Sequence, residues 1–349
     1  MSPLDRKLIR DLIHLRGQMT AIAIVVACGI ASYVSMRSTY RSLVMSQATY
    51  YETYRFADVF AQLKRAPEAL AARIREIPGV AAVRTRVVVD VTLDVPGVVE
   101  PAIGRLVSIP ERQTLMLNDL FIRQGRYVEP GRPEEVIASE AFCEANKLKV
   151  GDALSAVING RWKQLRIVGI ALSPEYVYEV RGGGDIFPDN KRFGVFWMNR
   201  EVLGPAFNME GAFNDVALSL SRNAIEEDVI AQLDVLLERY GGLGAYSRYD
   251  QTSHRFLSDE ISQNRMTGTV FPTIFLGIAA FLLYIVLSRL VSTQREQIGL
   301  MKAFGYWNVT VGWHYLKMGL VPVLAGAGIG AAVGLYLGSK LTEVYAQFY

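Results

Sequence analysis

The sequence predicts a membrane α-helical protein with three transmembrane helices and a large α+β extracytoplasmic domain inserted between helices 1 and 2. The chain is 51% hydrophobic, and the apolar residues are concentrated in three stretches that carry no charged side chain: 19–36, 267–288 and 318–339. Each is close to the roughly 20 residues that a helix needs to cross a bilayer. Residues 37–266, between the first two stretches, have an ordinary soluble composition and are numerous enough to form a cored domain.

The placement of basic residues predicts the orientation. Four precede the first apolar stretch and four lie between the second and third: Arg6, Lys7, Arg10, Arg16, Arg289, Arg295, Lys302 and Lys317. Lys and Arg accumulate in short cytoplasmic segments, whereas long domains cross the membrane largely regardless of charge. The inserted domain is therefore expected outside the cytoplasm, in a multi-pass protein.

Residues 1–17 predict a cytoplasmic amphipathic helix. Four leucines fall on one helical face and four basic residues on the other: Leu4, Leu8, Leu12, Leu15, and Arg6, Lys7, Arg10, His14. This pattern is typical of a helix at the membrane surface, although a simple positive flank would also give it. Val25-Val26-Ala27-Cys28 looks like a lipoprotein-processing box, but the apolar stretch continues past Cys28, which favours an uncleaved helix.

The domain boundaries follow from these patterns. We assign residues 18–50 to transmembrane helix 1 and its stalk, and residues 51–250 to the extracytoplasmic α+β domain. The remainder, 251–349, divides into a stalk with transmembrane helix 2 to residue 292, a short helix at 293–305 and transmembrane helix 3 at 309–340.

Local periodicity supports mixed α and β structure in the inserted domain. Asn159-Gly160 between two alternating runs predicts a hairpin, because both turn residues tolerate positive φ. Helical spacing predicts short helices, and period-2 alternation predicts strands. The helices are expected at 67–77 and 225–236, and the strands at 87–95 and 216–220.

No catalytic, cofactor or metal motif is present, and none is expected to act in this chain. His254 is expected to be exposed and incidental, Gly182-Gly183-Gly184-Asp185 to be a surface loop, and Glu134 with Glu135 to be solvated charges at a strand edge. An acid/base pair assembled from distant residues, in a membrane-tethered hydrolase, stays open. A net charge of only +3 argues against nucleic acid as a partner, and Cys28 and Cys143 are not placed to pair.

One aromatic-rich stretch surrounds the glycine loop. Its members are Tyr176, Tyr178, Phe187, Phe193, Phe196 and Trp197. Core packing is the preferred interpretation, and a contact surface for a partner or an apolar substrate is the alternative.

The segment 295–305 carries the most specific pattern. It reads Arg-Glu-Gln-Ile-Gly-Leu-Met-Lys-Ala-Phe-Gly, directly after a membrane helix. As a helix it is expected to place Ile298, Met301 and Phe304 on one exposed apolar face, which suits docking into a groove of a soluble partner. Gly305 would end it.

This segment resembles the Arg-Glu-Ile-Gly-Leu-Lys-Ala-Leu-Gly signature of FtsX/MacB-like ABC transporter permeases, with an extra Gln297 and with Tyr306-Trp307 after the glycine. Weaker similarities lie in Ile77-Pro78-Gly79-Val80, Gly151-Asp152 and Val168-Gly169-Ile170. The resemblance implies a coupling helix that contacts a separate ATPase. Its contact residues would be Arg295, Glu296, Ile298, Gly299, Leu300, Met301, Lys302, Ala303, Phe304 and Gly305.

The resemblance also implies the setting and the partners. The protein would lie in the bacterial inner membrane and bind an ABC ATPase subunit that holds ATP in trans. A second permease half or a homodimer partner, and a periplasmic or membrane-fusion partner, would complete the assembly. A membrane-anchored binding or sensor protein without transport is the alternative function.

Gly326, Gly330, Gly334 and Gly338 recur every four residues in the third apolar stretch. Such a stripe of small residues predicts a helix-packing face. The family places a fourth membrane helix after this one, so the chain is expected to be a fragment of a longer permease or to receive that helix from another chain.

Overall fold

The computed structural model describes residues 3–95, 100–181 and 187–345, which form two compact units. The membrane unit comprises residues up to 46 and from 260 onward, and the outer unit comprises residues 47–259. The glycine loop that was predicted at Gly182 to Asp185 lies outside the described residues.

Nine α-helices are found in the described part of the chain. They are α1 Pro3–His14, α2 Arg16–Thr53, α3 Leu70–Arg75, α4 Glu140–Asn146, α5 Arg200–Ala206, α6 Glu226–Leu237, α7 Thr252–Thr293, α8 Arg295–Ala303 and α9 Asn308–Tyr345.

Eleven strands are found over the same residues. They are β1 Val59–Pro67, β2 Val80–Arg86, β3 Val88–Asp94, β4 Ala102–Ile109, β5 Phe121–Gly125, β6 Glu135–Ser139, β7 Ala153–Ile158, β8 Arg161–Leu172, β9 Phe193–Asn199, β10 Ala212–Leu220 and β11 Gly242–Ser247.

The membrane unit is built on α2, α7 and α9, which are long and apolar enough to cross a membrane. Helix α9 runs parallel to α2, since Gly326 contacts Ala23 and Gly338 contacts Ser38. Helix α7 runs antiparallel to α2, since Gly29 contacts Phe275 and Gly268 contacts Met36. The alternation of directions means that α2 and α9 enter the bilayer from the same side, as the charge pattern predicts.

The first sheet of the outer unit has four antiparallel strands in the order β11-β1-β10-β2. Helices α3 and α6 cover it and bury Leu70, Ile74, Val229 and Leu233 against it. A layer of two helices on an antiparallel sheet gives this part of the unit its own core.

The second sheet has seven strands in the order β5-β8-β6-β9-β4-β3-β7. The long strand β8 pairs with β6 through one half and with β7 through the other, which closes the sheet on itself. Its core is apolar and includes Leu106, Phe142 and Phe196. Closure removes sheet edges that would otherwise expose unpaired backbone groups.

These elements confirm the predicted fold class. The Asn159-Gly160 hairpin is present, with φ of 46° and 72° at the two turn residues. The predicted strand at 87–95 is shorter, because the chain passes from the four-stranded to the seven-stranded sheet at Val87, between β2 and β3. The helix predicted at 67–77 is also shorter, since residues up to Pro67 belong to β1.

Candidate functional site

Helix α8 follows α7 after a single residue, Gln294, whose φ of −94° and ψ of 19° depart from helical geometry. At its other end Gly305 adopts a φ of 87°. There the amide of Gly305 donates to the carbonyl of Lys302, and that of Tyr306 to the carbonyl of Met301. This pair of bonds is a Schellman motif, in which glycine is favoured because it adopts positive φ without strain. The sequence therefore defines both ends of a short helix.

The two faces of α8 have different surroundings. Ile298 and Met301 pack on a cluster that contains Leu290, Tyr315 and Met318. Leu300 and Phe304 are instead 60% and 80% exposed. The expectation that Ile298, Met301 and Phe304 share one exposed face is therefore wrong. A spacing of three residues drifts by about 60° per step on a helix, so that Phe304 leaves the packed face.

The remaining predicted site residues lie on the exposed side. Apart from Ile298 and Met301, all of them are exposed: Arg295, Glu296, Gly299, Leu300, Lys302, Ala303, Phe304 and Gly305. Trp307, which follows the helix, is exposed as well. The surface formed by Leu300, Phe304 and Trp307 is called the α8 outer face below. It combines apolar side chains with Arg295, Glu296 and Lys302, as a docking surface for a soluble protein does.

A polar cluster fixes the junction between α7 and α8. The ammonium of Lys7 donates to Asp11 Oδ2 at 2.6 Å and to Gln294 Oε1 at 3.0 Å, and the hydroxyl of Tyr315 donates to the same Gln294 oxygen at 2.9 Å. These groups are partly buried, which strengthens such bonds relative to those on a surface. The N-terminal helix thus holds the residue from which α8 starts.

This cluster was not predicted from the sequence, whose helical pattern put Lys7 on the solvent-facing side of α1. The only signal was the four-residue spacing of Lys7 and Asp11, which allows an ion pair within a helix. Leu8, Leu12 and Leu15 pack on the same apolar cluster as Ile298 and Met301. The apolar face of α1 therefore lies against other helices of the membrane unit.

The four glycines of α9 lie against α2. A Cβ atom added at Gly326, Gly330 or Gly334 would come within 2.4, 2.5 or 2.8 Å of a carbonyl oxygen of α2, from Ala23, Ala27 and Ala31 respectively. At Gly338 the nearest atom is Cβ of Ser38, at 3.2 Å. Only glycine permits so close an approach of two backbones.

A buried ionic centre links the first sheet of the outer unit to the segments that follow β8 and precede β5 of the second. Arg86 of β2 donates to Asp215 of β10 at 2.8 Å and to Glu175 Oε1 at 2.9 Å, and Asn118 donates to Glu175 Oε2 at 2.6 Å. Burial raises the pKa of Glu175, but the charge and hydrogen bonds of Arg86, together with Arg84 and Asn118, outweigh it and hold that pKa below its ordinary value. Each carboxylate has its partner, so the centre is suited to holding the two sheets together.

Two predictions about titratable groups are wrong. Glu135 is not a solvated edge charge but is buried, and both its oxygens accept from Arg126, at 2.6 and 2.8 Å. That bidentate contact lowers the pKa of Glu135 despite its burial. His254 is half-buried, and its ring nitrogens form hydrogen bonds with Tyr51 Oη at 3.0 Å and Ser258 Oγ at 3.1 Å. Both groups serve structural contacts between neighbouring elements.

The aromatic stretch contributes mainly to the core. Phe193, Phe196 and Trp197 of β9 are buried, whereas Phe187 is exposed. In the parts of the chain that the structure describes, no group of three or more His, Cys, Asp or Glu side chains could hold a metal ion.

Comparison with known proteins identifies the membrane region. Residues 269–348, which contain most of α7 and all of α8 and α9, match the C-terminal domain of FtsX-like permeases. An uncharacterized ABC transporter permease of Mycoplasma genitalium is 20% identical over 206 residues. The alignment covers 52% of this chain but only 15% of the relative's length.

Two solved structures are similar to parts of the chain. The extracellular domain of the noncanonic ABC-type transporter YknZ from Gram-positive bacteria is 14% identical, with 55% of this chain and 98% of that chain covered and a TM-score of 0.34. The periplasmic region of MacB from Actinobacillus actinomycetemcomitans is 10% identical, with 62% and 98% covered and a TM-score of 0.36. On the match of residues 269–348, the membrane region contains an FtsX-like permease C-terminal domain, and the chain is similar to an ABC transporter permease.

Proposed function

We propose that this chain is the permease subunit of an ABC transporter, coupling ATP hydrolysis in a separate ATPase to export, extraction or mechanotransmission across the bacterial cytoplasmic membrane. The observation that carries the proposal is the division of α8 into two faces. Ile298 and Met301 attach it to the membrane unit, while Leu300 and Phe304 lie exposed on the other side. A helix held in this way can be displaced by a bound partner and can transmit that displacement to the helices it packs against.

The outer face of α8 fits the helix-in-groove mode of recognition. Apolar side chains of a short helix enter a groove on the partner, and flanking charges set its orientation. Leu300 and Phe304 would be the apolar anchors, and Arg295, Glu296 and Lys302 the charged rim. A few such anchors commonly supply most of the binding energy of an interface.

Movement of α8 would reach the membrane helices by two routes. Gln294 connects it directly to α7, and Tyr315 connects Gln294 to α9. Lys7 brings α1 into the same cluster. A shift of α8 would thus displace several elements together, as in rigid-body transmission between packed helices.

Helices α2 and α7 continue from the membrane unit into the outer unit, to Thr53 and from Thr252 respectively. They are the routes by which displacement would reach the outer unit. The charge pattern supports a location of the outer unit outside the cytoplasm and of α8 inside it. A second permease half or a second copy of this chain would complete the membrane assembly, and the substrate would be handled by the outer unit.

Co-expression with the cognate ABC ATPase, sought first in adjacent reading frames, tests the proposal. We expect Leu300→Asp and Phe304→Asp each to weaken ATPase binding by about 30-fold, the size of a typical hot-spot loss of roughly 2 kcal/mol. Leu243→Asp is the matched control, since Leu243 is a 72% exposed leucine of the outer unit. Unchanged binding of both α8 variants, or ATP hydrolysis by the permease purified alone, would contradict the proposal.

A further inference from the structure

An apolar groove of about 460 Å³ lies between α1, α2 and α9 in the membrane unit. Leu12 of α1, Ala23 and Ala27 of α2, and Pro322 and Ile329 of α9 line its walls. Its volume falls within the roughly 300–1,000 Å³ that is usual for ligand sites in proteins. The groove is thus large enough for part of an elongated apolar molecule.

The depth of the groove limits what can occupy it. Its walls belong to α2 and α9, both of which are membrane spans by length and composition. The groove therefore opens toward hydrocarbon. A hydrocarbon chain suits these walls, whereas a polar ligand would leave hydrogen-bonding groups unsatisfied there.

One cation lies in the lining. Arg16, at the first residue of α2, is exposed, and no ion-pair partner for it is found in the described residues. Arg6 and Arg10, on the preceding helix, are exposed as well. A guanidinium at the polar end of a membrane helix binds phosphate oxygens well, because its planar fork can donate two hydrogen bonds at once.

We propose that this groove binds an anionic phospholipid, with one acyl chain between α1, α2 and α9 and the phosphate on Arg16. Basic residues next to a membrane helix favour anionic over zwitterionic lipids, and Arg16 is the basic residue that lines the groove. The bound lipid would fill the space between the N-terminal helix and α9. This assignment depends on the membrane location of α2 and α9 and not on the coupling of α8 to an ATPase.

Quenching by brominated acyl chains tests the site in the whole protein, reconstituted in bilayers. A tryptophan is introduced at Ile24, which lines the groove and is 56% exposed. The control position is Leu324 of α9, which is 66% exposed and does not line the groove. Because Gly326 contacts Ala23, the two positions lie within about one helical turn of the same depth. The quenching of the same protein without the introduced tryptophan is subtracted.

Brominated phosphatidylglycerol and brominated phosphatidylcholine are compared at equal low mole fractions. We expect quenching at Ile24→Trp to show an about fivefold preference for phosphatidylglycerol over phosphatidylcholine, which is the preference that about one basic residue confers. No such preference is expected at Leu324→Trp. Arg16→Gln should abolish the preference and Arg16→Lys should restore most of it. Equal preference at both positions, or a preference that survives Arg16→Gln, would overturn the assignment. Weak quenching at Ile24→Trp by both lipids, relative to Leu324→Trp, would overturn it in favour of a second protein chain in the groove.

Discussion

The hydroxyl of Tyr315 donates a hydrogen bond of 2.9 Å to the side-chain oxygen of Gln294, so that α9 holds the single residue between α7 and α8. Lys7 donates to the same oxygen at 3.0 Å. One amide oxygen therefore connects the N-terminal helix, the α7–α8 junction and α9. The position of α8 depends on this contact.

Loss of the Gln294 oxygen should cost more than loss of one donor. Gln294→Leu leaves the partly buried Lys7 ammonium and Tyr315 hydroxyl without this acceptor, and we expect it to destabilise the protein by about 1–3 kcal/mol. Tyr315→Phe leaves the bond from Lys7 in place and should cost about 1 kcal/mol. Thermal unfolding of the detergent-solubilised protein measures both. Equal, negligible shifts would show that the cluster does not hold the junction.

The glycines of α9 offer a matched pair of substitutions. Gly330→Ala places a Cβ 2.5 Å from the carbonyl oxygen of Ala27, whereas the same substitution at Gly328 meets nothing within 4 Å. We expect Gly330→Ala to destabilise the protein by about 1–3 kcal/mol through overpacking. Gly328→Ala should be neutral or slightly stabilising, because alanine favours helix. The melting temperatures of the two variants are measured in the same detergent. Similar shifts at both positions would contradict close packing of α9 on α2.

The features that could be predicted from the sequence are those that local interactions determine. Uncharged stretches of about 20 residues identified the membrane helices, and Asn159-Gly160 identified the β7–β8 hairpin, because bilayer thickness and turn geometry act locally. The C-terminal end of α8 was predictable for the same reason, since Gly305 provides a local stop signal.

Long-range contacts account for what was missed. Lys7 and Gln294 are 287 positions apart, and nothing near either residue indicates that they meet. The same holds for Arg86 and Glu175, which are 89 positions apart. Glu135 looked like a surface charge because its partner Arg126 precedes it in an irregular segment. Contacts between residues far apart in the sequence leave no local pattern from which they could be predicted.

Glu179 gives the stability a defined pH dependence. Its carboxyl is buried next to Ser139 Oγ, which donates to it at 2.8 Å, and burial raises its pKa to about 8. The folded state therefore keeps a proton that the unfolded state releases near an ordinary pKa of about 4. The stabilisation by this group is complete at low pH and is lost as the pH rises toward 8, by up to about 1.4 kcal/mol per pH unit.

Glu179→Gln tests this dependence, because the amide stays neutral over the whole range. We expect the loss of stability between pH 5 and pH 8, measured by chemical denaturation, to be smaller in the variant than in the wild-type protein by about 1 kcal/mol or more. Parallel stability profiles for the two proteins would rule out a buried neutral Glu179.

The ionic centre of the outer unit should be sensitive to removal of its cation. Arg86 is 1% exposed, and Arg86→Met leaves Glu175 and Asp215 buried without the cation that forms hydrogen bonds with both, which costs about 3–5 kcal/mol. Arg192→Met is the control, because the ion pair of Arg192 with Glu100 is exposed and is worth about 1 kcal/mol or less. The denaturation midpoints of the two variants are measured and compared. Similar midpoints would show that Arg86 does not hold the two sheets together.

Site-specific photocrosslinking tests most directly whether the outer face of α8 contacts an ATPase. A photoreactive residue is placed at Leu300, and in a separate protein at the membrane-facing Leu324, each co-expressed with the cognate ATPase. We expect a covalent adduct with the ATPase from Leu300 and none from Leu324. An ATPase that co-purifies with the permease but forms no adduct from Leu300, or forms equal adducts from both positions, would contradict it.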